Sequence, residues 1–246
     1  MTGVRIWATT HTGLVRHRNE DAYGATSLAA TRQDAVVSHC EVLAGPVVAV
    51  VADGLGGHAD GHRASALAVQ SILDAKPDTA ESLVTAVHVA NELIVAEMSQ
   101  RPESAGMGTT IATVLIADDI FTVVNVGDSS AFEFIDDQLV QLSIDDVPPG
   151  TSDLPGMPTS IVTQTLGGHR NLQKIVPHLY QSRIDRNSRL LLCTDGLTNY
   201  VPKTMIADVL RTLRDDSAVT ELLQRALDAG APDNVTVMIV EVEPHR

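Results

Sequence analysis

Aromatic residues are scarce in this 246-residue chain, which has one Trp, three Tyr and three Phe. A surface that stacks nucleobases on rings has little to be built from, so the core must come from Val, Ile, Leu and Ala. Positive charge is scarce too. Seventeen Lys and Arg stand against 31 Asp and Glu, and the formal net charge of −14 opposes nucleic-acid backbones and anionic lipid. The only cysteines, Cys40 and Cys193, lie far apart with no Cys-x-x-Cys spacing, which excludes a zinc ribbon or a disulfide framework and suits a reducing compartment. No apolar stretch approaches the roughly 18 residues of a membrane span, and Met1 to Thr10 lacks the layout of a signal peptide. These absences lead us to expect a soluble cytoplasmic chain that binds neither nucleic acid nor membrane.

What is present is an apolar fraction of 44%, enough for a sizeable core. Short apolar runs rich in β-branched residues predict strands at Val47–Ala52, Thr110–Ala117, Ile120–Val126, Ala131–Ile135, Leu190–Thr194 and Val235–Val242. Asp118-Asp119 and Asp136-Asp137 fall between such runs, where hairpin turns belong. Helical periodicity covers Arg63–Leu73, Ala80–Met98 behind an Asp78/Glu81 capping box, Lys203–Leu213, and Ala218–Ala229 after a Ser217 cap. Hairpins beside paired helices indicate an α+β fold. The Pro/Gly-rich stretch from Val147 to Gly156 reads as a surface excursion from one domain.

Three apolar runs end in an acid next to a Gly: VVAVVADG at Asp53, VVNVGD at Asp128 and LLLCTDG at Asp195. An acid at the end of a buried strand emerges at the sheet rim, within reach of water or a cation. In APDNVTVMIV the order is reversed and Asp233 precedes the strand. Antiparallel pairing sets the start of one strand beside the end of its neighbour, so Asp233 is expected next to Asp195 or Asp53. Clustered carboxylates repel one another unless a positive charge holds them ionised. Oxygen donors without Cys or His at zinc spacing favour Mg²⁺ or Mn²⁺, and Gly54 lets a backbone carbonyl approach a cation.

The segments RHRNEDAYG (16–24), VADGLGGHADG (51–61), GMGTT (106–110), VGDSSAF (126–132), TQTLGG (163–168), CTDGLTNYV (193–201) and APDNVTVMIV (231–240) occur in this order. The set resembles the bacterial form of the metal-dependent PPM/PP2C protein phosphatases, over about Thr9 to Val242. The resemblance implies one domain over residues 1–246, built as a four-layer α/β/β/α sandwich of two antiparallel sheets flanked by helices. It implies metal-dependent hydrolysis of phosphoserine and phosphothreonine in proteins by a monomer that opposes a cognate Ser/Thr kinase.

The resemblance also assigns residues. Asp53 would bridge two Mn²⁺ or Mg²⁺ ions, with the Gly54 carbonyl on one and Asp195 and Asp233 on the other. Asp128, with Asp195, would hold a third and weaker ion. Glu20 would act through a metal-bound water, Asp21 would support the water network, and Arg16 would bind substrate phosphate. Leu55 stands where some eukaryotic members have His, which leaves His58 to protonate the leaving alkoxide. Cys193 lies inside an apolar strand without the Cys-x5-Arg loop of thiol phosphatases and reads as packing. Two rivals share the same centre: a phosphoprotein-binding regulator and a hydrolase of small phosphomonoesters.

Overall fold

The computed structural model describes residues 3–31, 34–55, 60–149, 161–185 and 189–242. Two six-stranded sheets carry the architecture, and every strand pair in them is antiparallel. The first sheet runs Gln138–Gln141, Ser130–Ile135, Arg189–Cys193, Val235–Val242, Val4–His11, Ser38–Val42. The second runs His178–Arg183, Ile120–Val126, Ile111–Ala117, Val47–Ala52, Ala22–Ala25, Leu28–Thr31. A short ladder of Gly54–Leu55, Gly108–Thr109 and Leu166–Gly167 continues past the end of the second sheet.

The period of two in the strands decides how the sheets stack. Val47, Ala49 and Val51 face a core shared with Ile6, Ala8, Leu190, Leu192, Met238 and Val240 of the other sheet. Their neighbours Val48, Val50 and Ala52 face outward onto Ala68, Ile72, Leu83 and Ile94 of the helices Gly61–Ala75 and Ala80–Gln100. In the first sheet Val235, Val237 and Ile239 meet Ile206, Leu210, Val219 and Leu222 of the helices Lys203–Thr212 and Asp215–Asp228. Both faces of Val47–Ala52 and Val235–Val242 are therefore apolar, which is why these strands read as nearly unbroken apolar runs. Each fully buried Val or Leu contributes about 1.5–3 kcal/mol by leaving water, so helix, sheet, sheet and helix are held as four layers.

The expected strands at Val47–Ala52, Ile120–Val126 and Val235–Val242 have those bounds. Asp118, Asp136 and Asp137 adopt positive φ of 55°, 49° and 60°, so acids supply the turn conformation that Gly usually provides. Two helix starts differ from expectation. The long helix is capped by Thr79 and Ser82, with Ser82 N donating to Thr79 Oγ1 (3.1 Å) and Thr79 N to Ser82 Oγ (2.9 Å), because hydroxyls three residues apart form the box that Asp78 and Glu81 were expected to make. The last helix begins at Asp215, and Ser217 lies inside its first turn. Val4–His11 pairs on both sides yet carries Arg5, Thr9, Thr10 and His11, which break up its apolar pattern. Of the excursion, residues 150–160 lie outside the described residues, as does His58.

Candidate active site

The four acids come from both sheets. Asp53 follows Val47–Ala52, and Asp128 stands two residues past Ile120–Val126. Asp195 opens the one-turn helix that follows Arg189–Cys193. Cys193 pairs with Val237 across the antiparallel ladder, so the chain beyond Cys193 lies beside the start of Val235–Val242 and brings Asp195 to Asp233. Arg16, Glu20, Asp53, Gly54, Asp128, Asp195 and Asp233 all line one cleft of about 180 Å³ at this edge of the sandwich. Asp21 is not in the cleft; it lies fully buried beneath it. Its Oδ2 accepts hydrogen bonds from Thr236 Oγ1 (2.6 Å) and Thr194 Oγ1 (2.9 Å).

Glycine beside the acids permits this crowding. A Cβ on Gly54 would stand 2.4 Å from Gly61 O and 2.5 Å from Glu20 O, and one on Gly196 would stand 1.9 Å from Asn234 O. Any side chain there would push the acid-bearing loops apart.

Sequence reasoning did not single out Asn234, yet it organises the amino-terminal half of the site. Its Nδ2 donates to Thr12 O (2.8 Å) and Arg18 O (3.0 Å), and its Oδ1 accepts from Glu20 N (2.8 Å). One side chain thus holds both ends of the loop that presents Arg16. Asn199 was also passed over; its Nδ2 donates to Asp195 Oδ2 (2.8 Å). The only sequence signal for either was an Asn close to a strand-terminal acid. Leu55 and Val162 add apolar wall to the cleft.

Glu20, Asp21, Asp53, Asp128 and Asp195 are held above the ordinary carboxyl range. Burial pushes Asp21 up to about 7 against the hydrogen bonds from Thr236 and Thr194, with Asp195 and Asp233 adding repulsion. Burial, then repulsion from Asp195, takes Asp128 to about 7. Burial and Asp233 bring Asp195 to about 6, opposed by Asp53, Arg16 and Asn199. Asp53 is raised by burial and then by Asp21, Asp195, Asp128 and Asp233. Desolvation raises Glu20, with Arg16 and Arg18 pulling it back.

Among the described residues, no three His, Cys, Asp or Glu side chains stand as a ready-made ligand set. Arg16 accounts for part of this by holding both Asp233 oxygens. Mg²⁺ and Mn²⁺ keep several waters and need few direct protein ligands. The donor set is all oxygen, and Asp195 Oδ1 is buried without a hydrogen-bond partner. A carboxylate oxygen without a donor, among acids that repel one another, fits a hard divalent cation. Cys193 does not enter the cleft. It is fully buried in the outer core, and burial drives its thiol far above the ordinary range.

An α/β/β/α sandwich with a carboxylate-lined cleft at one edge defines the class. The chain belongs to the protein phosphatase 2C family, whose model matches residues 24–228. Both Arg16 to Asp21 and Asp233 lie outside that match and come to the site by geometry. The serine/threonine protein phosphatase PstP of Mycobacterium tuberculosis is 31% identical over 254 residues, 97% of this chain and 45% of that protein, so the chain spans less than half of this relative. The serine/threonine phosphatase stp of Listeria monocytogenes is 30% identical over 252 residues, covering 94% of this chain and 93% of that protein. The crystal structure of M. tuberculosis PstP/Ppp superposes with a TM-score of 0.80 at 28% identity, covering 99% of this chain and 100% of that one. The PstP catalytic domain in complex with two manganese ions gives a TM-score of 0.80 at 29% identity with the same coverage.

Proposed function

We propose that this chain is a metal-dependent protein phosphatase that hydrolyses phosphoserine and phosphothreonine in proteins, with residues 1–246 forming one catalytic domain. The observation that carries this reading is the meeting of Asp53, Asp128, Asp195 and Asp233, from two different sheets, with Arg16 in one cleft. Asp53, the Gly54 carbonyl, Asp195 and Asp233 would hold two Mn²⁺ or Mg²⁺ ions, and Asp128 with Asp195 a third. When bound, the ions supply Lewis acidity that activates water and offsets the charge of the phosphoryl group.

The chain's own groups do the rest. Arg16 presents a guanidinium fork that matches two phosphate oxygens and orients the phosphoryl group. Glu20 holds water in the cleft and Asp21 supports that water network from beneath it, while Leu55 and Val162 shield one wall from solvent. The products are inorganic phosphate and the free Ser or Thr hydroxyl, with His58 assigned to deliver the proton. The burial of Cys193 speaks against a phosphothiol route.

The substrates would be phosphoproteins of a cognate Ser/Thr kinase, met by a cytoplasmic monomer. Among the described residues no helix is long and apolar enough to cross a membrane. The test is phosphate release from phosphothreonine and phosphotyrosine peptides with and without Mn²⁺. Mn²⁺-dependent turnover that favours phosphothreonine is expected. Binding without turnover would favour a regulator, and turnover of small phosphomonoesters alone would favour a small-molecule hydrolase.

A further inference from the structure

Beside the cleft one residue, Asp146, ties together three separate stretches of the chain, at Gly127, at Thr163 and Gln164, and at His178. Asp146 Oδ2 accepts from Gly127 N (2.8 Å) and from Gln164 Nε2 (2.9 Å). Its Oδ1 lies 2.9 Å from His178 Nε2, and since a carboxylate only accepts, that nitrogen is the donor. The backbone repeats the connection. Asp146 N donates to Gly127 O (3.0 Å), and Thr163 N donates to Asp146 O (2.7 Å). Gln164 is itself held by Val176, whose N donates to Gln164 Oε1 (2.6 Å) and whose O accepts from Nε2 (3.1 Å).

The two segments joined this way both reach the site. Gly127 immediately precedes Asp128, Thr163 immediately follows Val162, and Asp128 and Val162 line the cleft. The neighbouring acid has a different task, because Asp145 Oδ1 accepts from Gln141 Nε2 (2.8 Å).

We propose that Asp146 is a positioning residue that sets Val162 and Asp128 in one frame, so that a peptide seated against Val162 and a cation held at Asp128 sense each other. The proposal rests on the phosphatase reading. A hub of this kind acts through backbone placement: freeing Gly127 moves Asp128, and freeing Gln164 moves the apolar wall.

The experiment compares Asp146→Asn and Asp146→Ala with wild type and with a variant on the same edge strand as His178, Gln181→Ala, which loses a contact to Thr122 of the neighbouring strand. Steady-state kinetics on a phosphothreonine peptide and on p-nitrophenyl phosphate are paired with calorimetric Mn²⁺ titration and circular dichroism. The expected result for Asp146→Ala is a rise of about tenfold in peptide KM and in the dissociation constant of the weakest ion, the scale of losing a supporting partner of a metal site. KM for p-nitrophenyl phosphate and the affinity of the two tighter ions stay near wild type, as do all values for Gln181→Ala. A folded Asp146→Ala protein with unchanged peptide KM and unchanged weak-ion affinity overturns the proposal.

If Asp146→Ala fails to fold, Gln164→Ala and His178→Ala each remove one contact, and effects of about threefold in the same direction are expected. Wild-type values in both overturn the proposal. If the wild-type chain releases no phosphate from peptides, the activity reading fails, and the weak-ion affinity of Asp146→Asn still decides the positioning role. Absence of both activity and a third ion overturns both.

Discussion

The guanidinium of Arg16 holds both carboxylate oxygens of Asp233, with Nε–Oδ1 at 2.8 Å and Nη2–Oδ2 at 2.7 Å. The fork is therefore already oriented into the cleft with the spacing that a phosphate would use. Arg16→Ala is expected to lower kcat/KM on a phosphopeptide by roughly 2–4 kcal/mol, the scale of losing a charged contact to substrate. Arg18, which donates Nη1 to His62 Nδ1 at 3.1 Å, points elsewhere, so Arg18→Ala should do much less. Equal and small effects of the two substitutions in steady-state assays would remove Arg16 from phosphate binding.

The raised carboxyls make the stability of the metal-free protein depend on pH with a definite sign. Asp21 and Asp128 titrate at about 7 and Asp195 at about 6, against an ordinary 3.8. A carboxyl whose folded pKa is raised contributes stability that is fully present below about pH 4 and lost as pH climbs through the folded value. The metal-free chain should lose this contribution between about pH 4 and 7, and cations that neutralise the cluster should restore it. Thermal melts with and without Mn²⁺ should show a Tm gap that widens from about pH 5 to 7.5. A constant or shrinking gap would mean that the cations do not bind this cluster.

Asp53 and Asp128 follow the strands Val47–Ala52 and Ile120–Val126 of one sheet but should not be equivalent. Asp53 is raised by burial and then by four surrounding acids, so Asp53→Asn should abolish Mn²⁺-dependent turnover while relieving repulsion and raising the Tm of the metal-free protein. Asp128→Ala should reduce turnover and leave the two tighter ions in place, as read by metal counting. Near-normal activity of Asp53→Asn at saturating Mn²⁺, or loss of the tight ions in Asp128→Ala, would reverse these assignments.

The strand-terminal acids were legible because an uninterrupted Val/Ile/Leu run that stops at an Asp next to a Gly encodes a buried strand and its rim together. Val4–His11 was less so, since Arg5 reaches Glu241 at 3.3 Å and His11 sits at the rim, and both disguise a strand paired on two sides. His178–Arg183 was hidden for a different reason: it is an edge strand, largely exposed, and carries no apolar run. The hub Asp146 has no sequence signature and Asn234 has none beyond its place next to Asp233, because their roles depend on which backbone groups they face after folding. The depth of Asp21 beneath the cleft was equally unreadable, since Thr194 and Thr236 arrive from distant strands.

Asn234 provides the sharpest test of how the site is assembled, because its three hydrogen bonds differ in direction. Its amide donates to Thr12 O and Arg18 O and accepts from Glu20 N, and the residue is 5% exposed. Asn234→Ala removes all three and leaves a backbone N–H without its partner, which should cost about 2–3 kcal/mol of stability. Asn234→Asp keeps the acceptor for Glu20 N but cannot donate, and it places a carboxylate next to Asp233. It should therefore loosen the loop that presents Arg16 and raise phosphopeptide KM more than it lowers kcat. Denaturant unfolding and steady-state kinetics of the two variants separate these effects. If Asn234→Asp matches wild type in both, the loop is held by its backbone contacts, such as Leu14 N to Ala231 O at 2.8 Å, and the amide is not its clamp.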